Sequence, residues 1–192
     1  MKRILESLYE NRHRILLVIA CSKRKRKDVE LMNIAAVRAG KSLDSLSSNI
    51  KRALSEYREC VMKVAREALD RKSKPYPAYM RYDGYFYRAT RIDTWLKAEE
   101  KGYKVVILSA LYGFLHPTEP IRYYDLSMHQ VPQSCKAILP RILDLLKDVL
   151  DFEKAVFLTS RTYFEPFTSL NYTYRLAIKC GTRSCITPSI TP

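Results

Sequence analysis

Cys21 and Lys25 follow an apolar run and are the residues best suited to covalent chemistry, because thiolates and neutral amines are both nucleophiles. Neighbouring cations stabilise a thiolate, and the same cations depress the pKa of a lysine amine. The sequence predicts a reactive Cys21 or Lys25, with a buried, inert cysteine as the alternative. The basic residues that supply these cations, with the serine that precedes them, are Ser22, Lys23, Arg24, Arg26 and Lys27.

The basic run 23–27 also predicts contacts with phosphate groups, since clustered cations displace counterions from a polyanion. The chain carries 34 Lys and Arg against 20 Asp and Glu, a formal charge of +14. This balance favours nucleic acid as the partner. The alternative is a solvated basic loop that contacts nothing.

A membrane partner is not expected, because no apolar run approaches the roughly 20 residues of a spanning helix and no N-terminal secretion signal is recognisable. The five cysteines are odd in number and widely spaced, which favours unpaired thiols in a reducing compartment. We therefore expect a cytoplasmic protein. Cys180 and Cys185 are spaced for a metal half-site or a disulfide loop, but nothing nearby completes a zinc set, so no metal and no cofactor are expected.

Three strand-like runs position these residues. RILLVIA, KVVIL and KAVFLT end at Cys21, Ser109 and Ser160, respectively. Since the carboxyl ends of parallel strands meet at one edge of a sheet, where ligands bind, these endings are expected to share a site. Ser109 and Ser160 each begin a Ser-x-x-Tyr pattern that ends at Tyr112 and Tyr163, which predicts two matching hydroxyl pairs.

Amphipathic patterns alternate with the strands, over residues 45–71, 86–101 and 132–150. This order predicts an α/β fold with three layers, a mostly parallel central sheet flanked by helices, in a single domain over residues 1–185. The Thr-Pro pairs of residues 186–192 predict a flexible tail.

An aromatic stretch over residues 76–87 contains Tyr82, Gly84 and Tyr87. Tyrosines stack on bases without regard to sequence, which makes Tyr82 and Tyr87 candidates for nucleic-acid binding, although tyrosines fill cores equally well. Gly84 completes an Asp-Gly turn signal.

The segment LSALYGFLHPTEPIRYYDLSM, residues 108–128, resembles the signature of the YaaA-type peroxide stress protein family. The segments 82–88 and 158–164 resemble two further elements of that family, in the same order. The positions of the first segment that fall on the pattern are Ser109, Tyr112, Gly113, Leu115, Pro117, Tyr124, Leu126 and Met128. Tyr123 and Asp125 depart from it.

The YaaA resemblance implies an α/β fold with a basic cleft, intracellular DNA binding and protection of DNA under peroxide stress, without implying a reaction. It adds Gly113 and Tyr124 to the candidate binding residues. The Cys-Ser-Lys-Arg-Lys opening also resembles a set of short uncharacterised domains, and its Cys-x-x-x-Lys spacing resembles the core domain of archaeosine synthase, which would imply chemistry on a nucleobase.

The sequence therefore leaves three hypotheses. The first is a nucleic-acid-binding protein, and the second is an enzyme that modifies or excises a nucleobase in DNA or tRNA through Cys21, Lys25 and Asp125. Asp125 would be either a general base or a charge partner. The third is a structural protein whose charge serves solubility. The oligomeric state stays open.

Overall fold

A central sheet of six strands organises the chain, as seen in a computed structural model that describes residues 10–31, 40–90, 92–180 and 185–191. Its strands are β1 Ile15–Ala20, β3 Lys104–Ser109, β4 Gly113–Leu115, β6 Lys154–Leu158, β7 Thr173–Cys180 and β8 Cys185–Thr191. They lie in the order β4-β3-β1-β6-β7-β8. A separate antiparallel pair joins β2, Tyr76–Pro77, to β5, Pro120–Ile121.

The four inner strands β3, β1, β6 and β7 are parallel, and the outer strands β4 and β8 run antiparallel to their neighbours. The parallel strands are joined through helical segments, as parallel pairs require. The predicted α/β fold with a mostly parallel sheet and flanking helices is confirmed.

Helices flank this sheet and bury their apolar faces. In α2, Ser47 caps the first turn by accepting a hydrogen bond from the Ile50 amide at 3.2 Å. None of the helices among the described residues is long and apolar enough to cross a bilayer. The helices are α1 Asp28–Leu31, α2 Ser48–Val64, α3 Ala78–Arg81, α4 Tyr85–Ala89, α5 Ile92–Glu100, α6 Gln133–Lys136, α7 Leu139–Leu150 and α8 Arg161–Phe164.

The element boundaries differ from the sequence expectation in three places. The helix expected over 45–71 ends at Val64 and is followed by a 3-10 turn, and the one expected over 86–101 is divided into α4 and α5. The segment expected to be a flexible tail is instead strand β8. Its backbone pairs with β7, for example Leu176 with Ile190, because an edge strand gains hydrogen bonds for its unpaired backbone groups.

A disulfide joins Cys60 of α2 to Cys135 of α6. The expectation of unpaired thiols is therefore wrong for these two cysteines. They lie 75 positions apart in the chain, so only the packing of α2 against α6 brings their sulfurs together. Cys21 is a free, buried cysteine, and the backbones of Cys180 and Cys185 are register partners across β7 and β8.

Candidate functional site

The endings of β1, β3 and β6 lie side by side at the carboxyl edge of the sheet. Ala20 is in register with Leu108 of β3, and Ile19 with Leu158 of β6. The chain remains paired just beyond β1, where the Cys21 amide donates to the Leu108 carbonyl at 2.9 Å. The three polar endings therefore share one edge, although they differ in exposure.

Six side chains at or beside this edge form what we call the edge cluster. Its members are Cys21, Lys25, Tyr82, Ser109, Tyr124 and Tyr163.

Hydroxyl groups connect the edge cluster. The Tyr124 hydroxyl lies 2.9 Å from Ser109 Oγ and 3.0 Å from the Tyr82 hydroxyl, while the Tyr163 hydroxyl lies 3.1 Å from Cys21 Sγ. Burial raises the pKa of Tyr82, Tyr124 and Tyr163. These phenols keep their protons at neutral pH and can donate hydrogen bonds to a neighbouring thiolate or ligand.

The basic run is held in an extended form against the segment that contains Tyr82. Lys25 and Tyr82 form an antiparallel bridge, and the Asp83 amide donates to the Arg24 carbonyl at 2.9 Å. Because side chains of an extended chain alternate in direction, Arg24 and Arg26 both reach Asp83, at 2.6 and 3.1 Å, whereas Lys25 points inward. Lys23, Arg24 and Lys27 are exposed, so three of the five cations face solvent.

Arg81 anchors the basic run, and sequence reasoning missed it. Its side chain is fully buried. It donates to the Arg26 carbonyl at 2.7 Å, to Asp28 Oδ1 at 2.8 Å and to the Lys74 carbonyl at 2.5 Å. A lone arginine among tyrosines carries no sequence signal of burial, because its partners are mostly backbone carbonyls.

Lys25 is buried, with only 6 % of its surface exposed. Its Nζ lies 4.0 Å from the ring centroid of Tyr124 and donates to the Lys23 carbonyl at 3.2 Å. Burial lowers the pKa of Lys25, and interactions with Cys21 and Asp125 oppose this shift without cancelling it. The amine is therefore closer to its neutral, nucleophilic form than that of a surface lysine.

Asp125 stands outside the edge cluster. It is exposed, and its amide donates to the Ala68 carbonyl at 2.8 Å. Together with Lys27 it lines a groove of about 620 Å³ that also receives acidic side chains from Asp28 and Asp70, so the groove has mixed charge. Asp125 can modulate Lys25 electrostatically, and the two are not joined by a hydrogen bond among the described residues.

Tyr82 and Tyr87 lie in the core and do not face solvent. The Tyr87 hydroxyl donates to the Ala20 carbonyl at 2.8 Å, and the two rings contact each other with centroids 5.2 Å apart. The exposed aromatic side chains of this segment are Tyr85, at 74 %, and Phe86, at 40 %. Sequence reasoning placed them in the same cluster but could not separate the exposed rings from the buried ones.

Gly84 has a packing role next to the basic run. It precedes α4, and a Cβ there would lie 2.5 Å from Ser22 Oγ. The absence of a side chain lets the start of α4 approach Ser22, the residue before Lys23.

The two Ser-x-x-Tyr patterns do not form matching pairs. Ser109 is buried and accepts a hydrogen bond from the Tyr112 amide at 3.1 Å, whereas Ser160 is exposed and precedes α8. The Tyr112 hydroxyl accepts from the Arg122 amide at 3.2 Å, while Tyr163 reaches Cys21.

Gly113 begins β4 with a φ of 72°, a left-handed conformation that favours glycine. A Cβ at this position would also lie 3.0 Å from the ring of Tyr57. Gly113 is buried, so its role is to turn the chain after β3.

Comparison with known families gives the last observation about this edge. A family model described as peroxide stress protein YaaA matches residues 15–180, which span all four parallel strands. The chain belongs to this family. The YaaA match includes the edge cluster and the 108–128 segment, so the resemblance seen in the sequence extends over the fold. A search of curated proteins finds no match to the chain.

The edge cluster offers proton donors, a thiol and an amine. Among residues 10–31, 40–90, 92–180 and 185–191, no group of three or more His, Cys, Asp or Glu side chains could hold a metal ion. Cofactor-independent chemistry at this edge would use Lys25 or Cys21 as the nucleophile.

Proposed function

We propose that this YaaA family member binds nucleic acid, DNA in preference to RNA, in the cytoplasm, and protects it during peroxide stress. The observation that carries the proposal is the exposure of Lys23, Arg24 and Lys27 at the carboxyl edge of the sheet, in a chain of net charge +14. Ammonium and guanidinium groups that neutralise phosphates release counterions and supply affinity without sequence preference.

Other exposed cations extend this surface. Arg161 follows the ending of β6 in α8, and Arg88 lies in α4 beside the exposed rings of Tyr85 and Phe86. We propose that the basic cleft implied by the family lies over this part of the edge. The mixed-charge groove beside Lys27 would lie at its margin.

The aromatic pair adds a second source of affinity to the proposal. Tyr85 is largely exposed on α4, and a base that stacks on such a ring contributes about 1–3 kcal/mol. At such an edge the cations would bind the phosphate backbone, and the exposed rings would stack on unpaired bases.

The test is the salt dependence of DNA binding. We expect the double variant Lys23→Ala/Lys27→Ala to bind duplex DNA more weakly and to reduce the slope of log K against log salt by up to about 1.8, roughly 0.9 for each lost phosphate contact. Fluorescence anisotropy over 50–300 mM salt measures both quantities.

The matched control removes two lysines from the opposite edge of the sheet. Lys101 precedes β3, Lys154 begins β6, and both are exposed. Lys101→Ala/Lys154→Ala changes the net charge by the same amount and should leave the slope nearly unchanged. Equal losses in the two variants, or no binding by the parent protein at low salt, would contradict the proposal.

A second candidate is an enzyme that modifies or excises a nucleobase, and the burial of Lys25 beside Cys21 favours it. Nucleoside mass spectrometry of DNA and tRNA after incubation with the protein tests this candidate. A new nucleoside or released base that disappears with Lys25→Met supports it, and unchanged profiles count against it.

A further inference from the structure

The sequence of the basic run places one amine in surroundings unlike those of its neighbours. Lys23 and Lys27 are exposed, whereas Lys25 is held inward by the bridge to Tyr82 and by the contacts of Arg24 and Arg26 with Asp83. These contacts fix the backbone of the basic run and, with it, the direction of the Lys25 side chain.

The protein provides hydrogen-bond acceptors for only part of the Lys25 ammonium group. An ammonium group has three N–H donors, and among the described residues the Lys23 carbonyl is the one hydrogen-bond acceptor of Nζ. The remaining contact is with the face of Tyr124, 4.0 Å away. Burying a cation with so few acceptors is costly, and the cost falls when the amine loses its proton.

Groups that can move protons surround the amine. The Tyr124 hydroxyl lies within hydrogen-bond distance of Tyr82 and Ser109. Cys21 contacts the Tyr163 hydroxyl and interacts electrostatically with Lys25. A neutral phenol can donate a proton to an alkoxide that develops beside it.

We propose that Lys25 Nζ is a nucleophile for aldehydes and that its substrate is the C1′ aldehyde of an abasic site in DNA. The inference rests on the proposed nucleic-acid binding, because the exposed cations on either side of Lys25 would hold the phosphates that flank such a site. An abasic sugar has no base to hinder its approach to a largely buried amine, and its ring-opened form carries the carbonyl that an amine attacks.

The chemistry is balanced without a cofactor. The nitrogen lone pair adds to the carbonyl carbon to form a hemiaminal, and loss of one water gives the imine. The protonated imine acidifies C2′. Water accepts the C2′ proton, the released electron pair forms the C2′–C3′ double bond, and the 3′ phosphate leaves with the electron pair of the C3′–O bond. Hydrolysis of the imine then restores the Lys25 amine and releases the sugar aldehyde.

The experiment traps the imine. The full-length protein is incubated with a duplex that contains one abasic site, in the presence of sodium borohydride, which reduces the imine to a stable secondary amine. We expect a covalent protein–DNA product on a denaturing gel, reduced at least tenfold by Lys25→Arg. Peptide mapping of the wild-type product should locate the adduct on Lys25, which does not depend on the folding of any variant.

The control tests whether any exposed lysine would react. Lys101→Arg/Lys154→Arg keeps the charge and removes two exposed amines that lie at the opposite edge of the sheet, so the product should form at the parental yield. An adduct that maps to Lys23 or Lys27, or loss of the product in this variant, would overturn the inference.

The two proposals fail differently. If the protein binds duplex DNA with the expected salt dependence but gives no trapped product, the assignment of Lys25 is overturned and the binding function stands. If the parent protein binds no DNA, both are overturned.

Discussion

Removal of the Tyr124 hydroxyl should destabilise the protein by about 2 kcal/mol. This oxygen is fully buried and lies within hydrogen-bond distance of Ser109 Oγ, at 2.9 Å, and of the Tyr82 hydroxyl, at 3.0 Å. Tyr124→Phe keeps the ring and its packing but loses both interactions, each of which contributes about 0.5–1.5 kcal/mol. For a chain of this size, that loss corresponds to a fall in Tm of about 4–8 °C.

The structure offers a matched control in Tyr79. Its ring is as deeply buried as that of Tyr124, but its hydroxyl has no hydrogen-bond partner among the described residues. Tyr79→Phe makes the same chemical change and removes a polar atom that is desolvated without compensation, so stability should be unchanged or slightly increased.

Urea unfolding followed by circular dichroism measures the two free energies of unfolding. The expected difference between Tyr124→Phe and Tyr79→Phe is about 2 kcal/mol or more. Equal losses in the two variants, or a loss below about 0.5 kcal/mol for Tyr124→Phe, would refute the idea that the hydroxyl network holds the edge cluster together.

Three further predictions concern the fold around the site. Burial lowers the pKa of His116 below 6.5, so the unfolded chain binds the imidazole proton more tightly than the folded protein does. The free energy of unfolding should therefore fall as the pH drops below about 6.5. His116→Gln should reduce that loss, as measured by urea unfolding at pH 5–7. Gly113→Ala should cost at least about 1–2 kcal/mol in the same measurement, because the position has a φ of 72° and a Cβ there would lie 3.0 Å from the ring of Tyr57. Reduction of the bond between Cys60 and Cys135, which closes a loop of 75 positions, should lower stability by about 4 kcal/mol in urea with and without dithiothreitol.

Two of these predictions have a control in the same chain. Gly102 has a φ of 81°, and the nearest atom to a Cβ there would be Arg12 Nε at 4.0 Å, an ordinary contact, so Gly102→Ala isolates the backbone strain from the crowding. A Cys60→Ala/Cys135→Ala variant should be insensitive to dithiothreitol, and a persistent response would implicate another cysteine.

Much of the fold could be predicted because the parallel strands carry continuous apolar runs. Residues buried on both faces of a sheet leave such runs in the sequence, and the polar residue that follows marks the carboxyl edge. Strand β8 could not be predicted in this way. Its Thr-Pro pairs are typical of a loop, and only the free edge of β7 explains why the backbone is paired there.

The sequence predicts where the site lies in the fold, but it does not predict which of the site's side chains are exposed to solvent. Tyr82 and Tyr85 belong to the same aromatic stretch, and the sequence does not show that one is fully buried while the other is 74 % exposed. That difference depends on the pairing of Lys25 with Tyr82 and on the fully buried Arg81. These contacts join parts of the chain that no local pattern relates.

Lysine and arginine alternate in the run 23–27, so each residue type occupies positions with its own surroundings. Its arginines, Arg24 and Arg26, fall on one side and share Asp83, while the central lysine falls on the other and enters the protein. A scan of all substitutions that is read out by stability should therefore find little tolerance at the buried Lys25 and more at the exposed Lys23 and Lys27. Replacing each lysine of the run by arginine and each arginine by lysine would keep its charge of five. The amine at position 25 would become a guanidinium that cannot give up its proton, so the edge would keep its charge but lose its nucleophile.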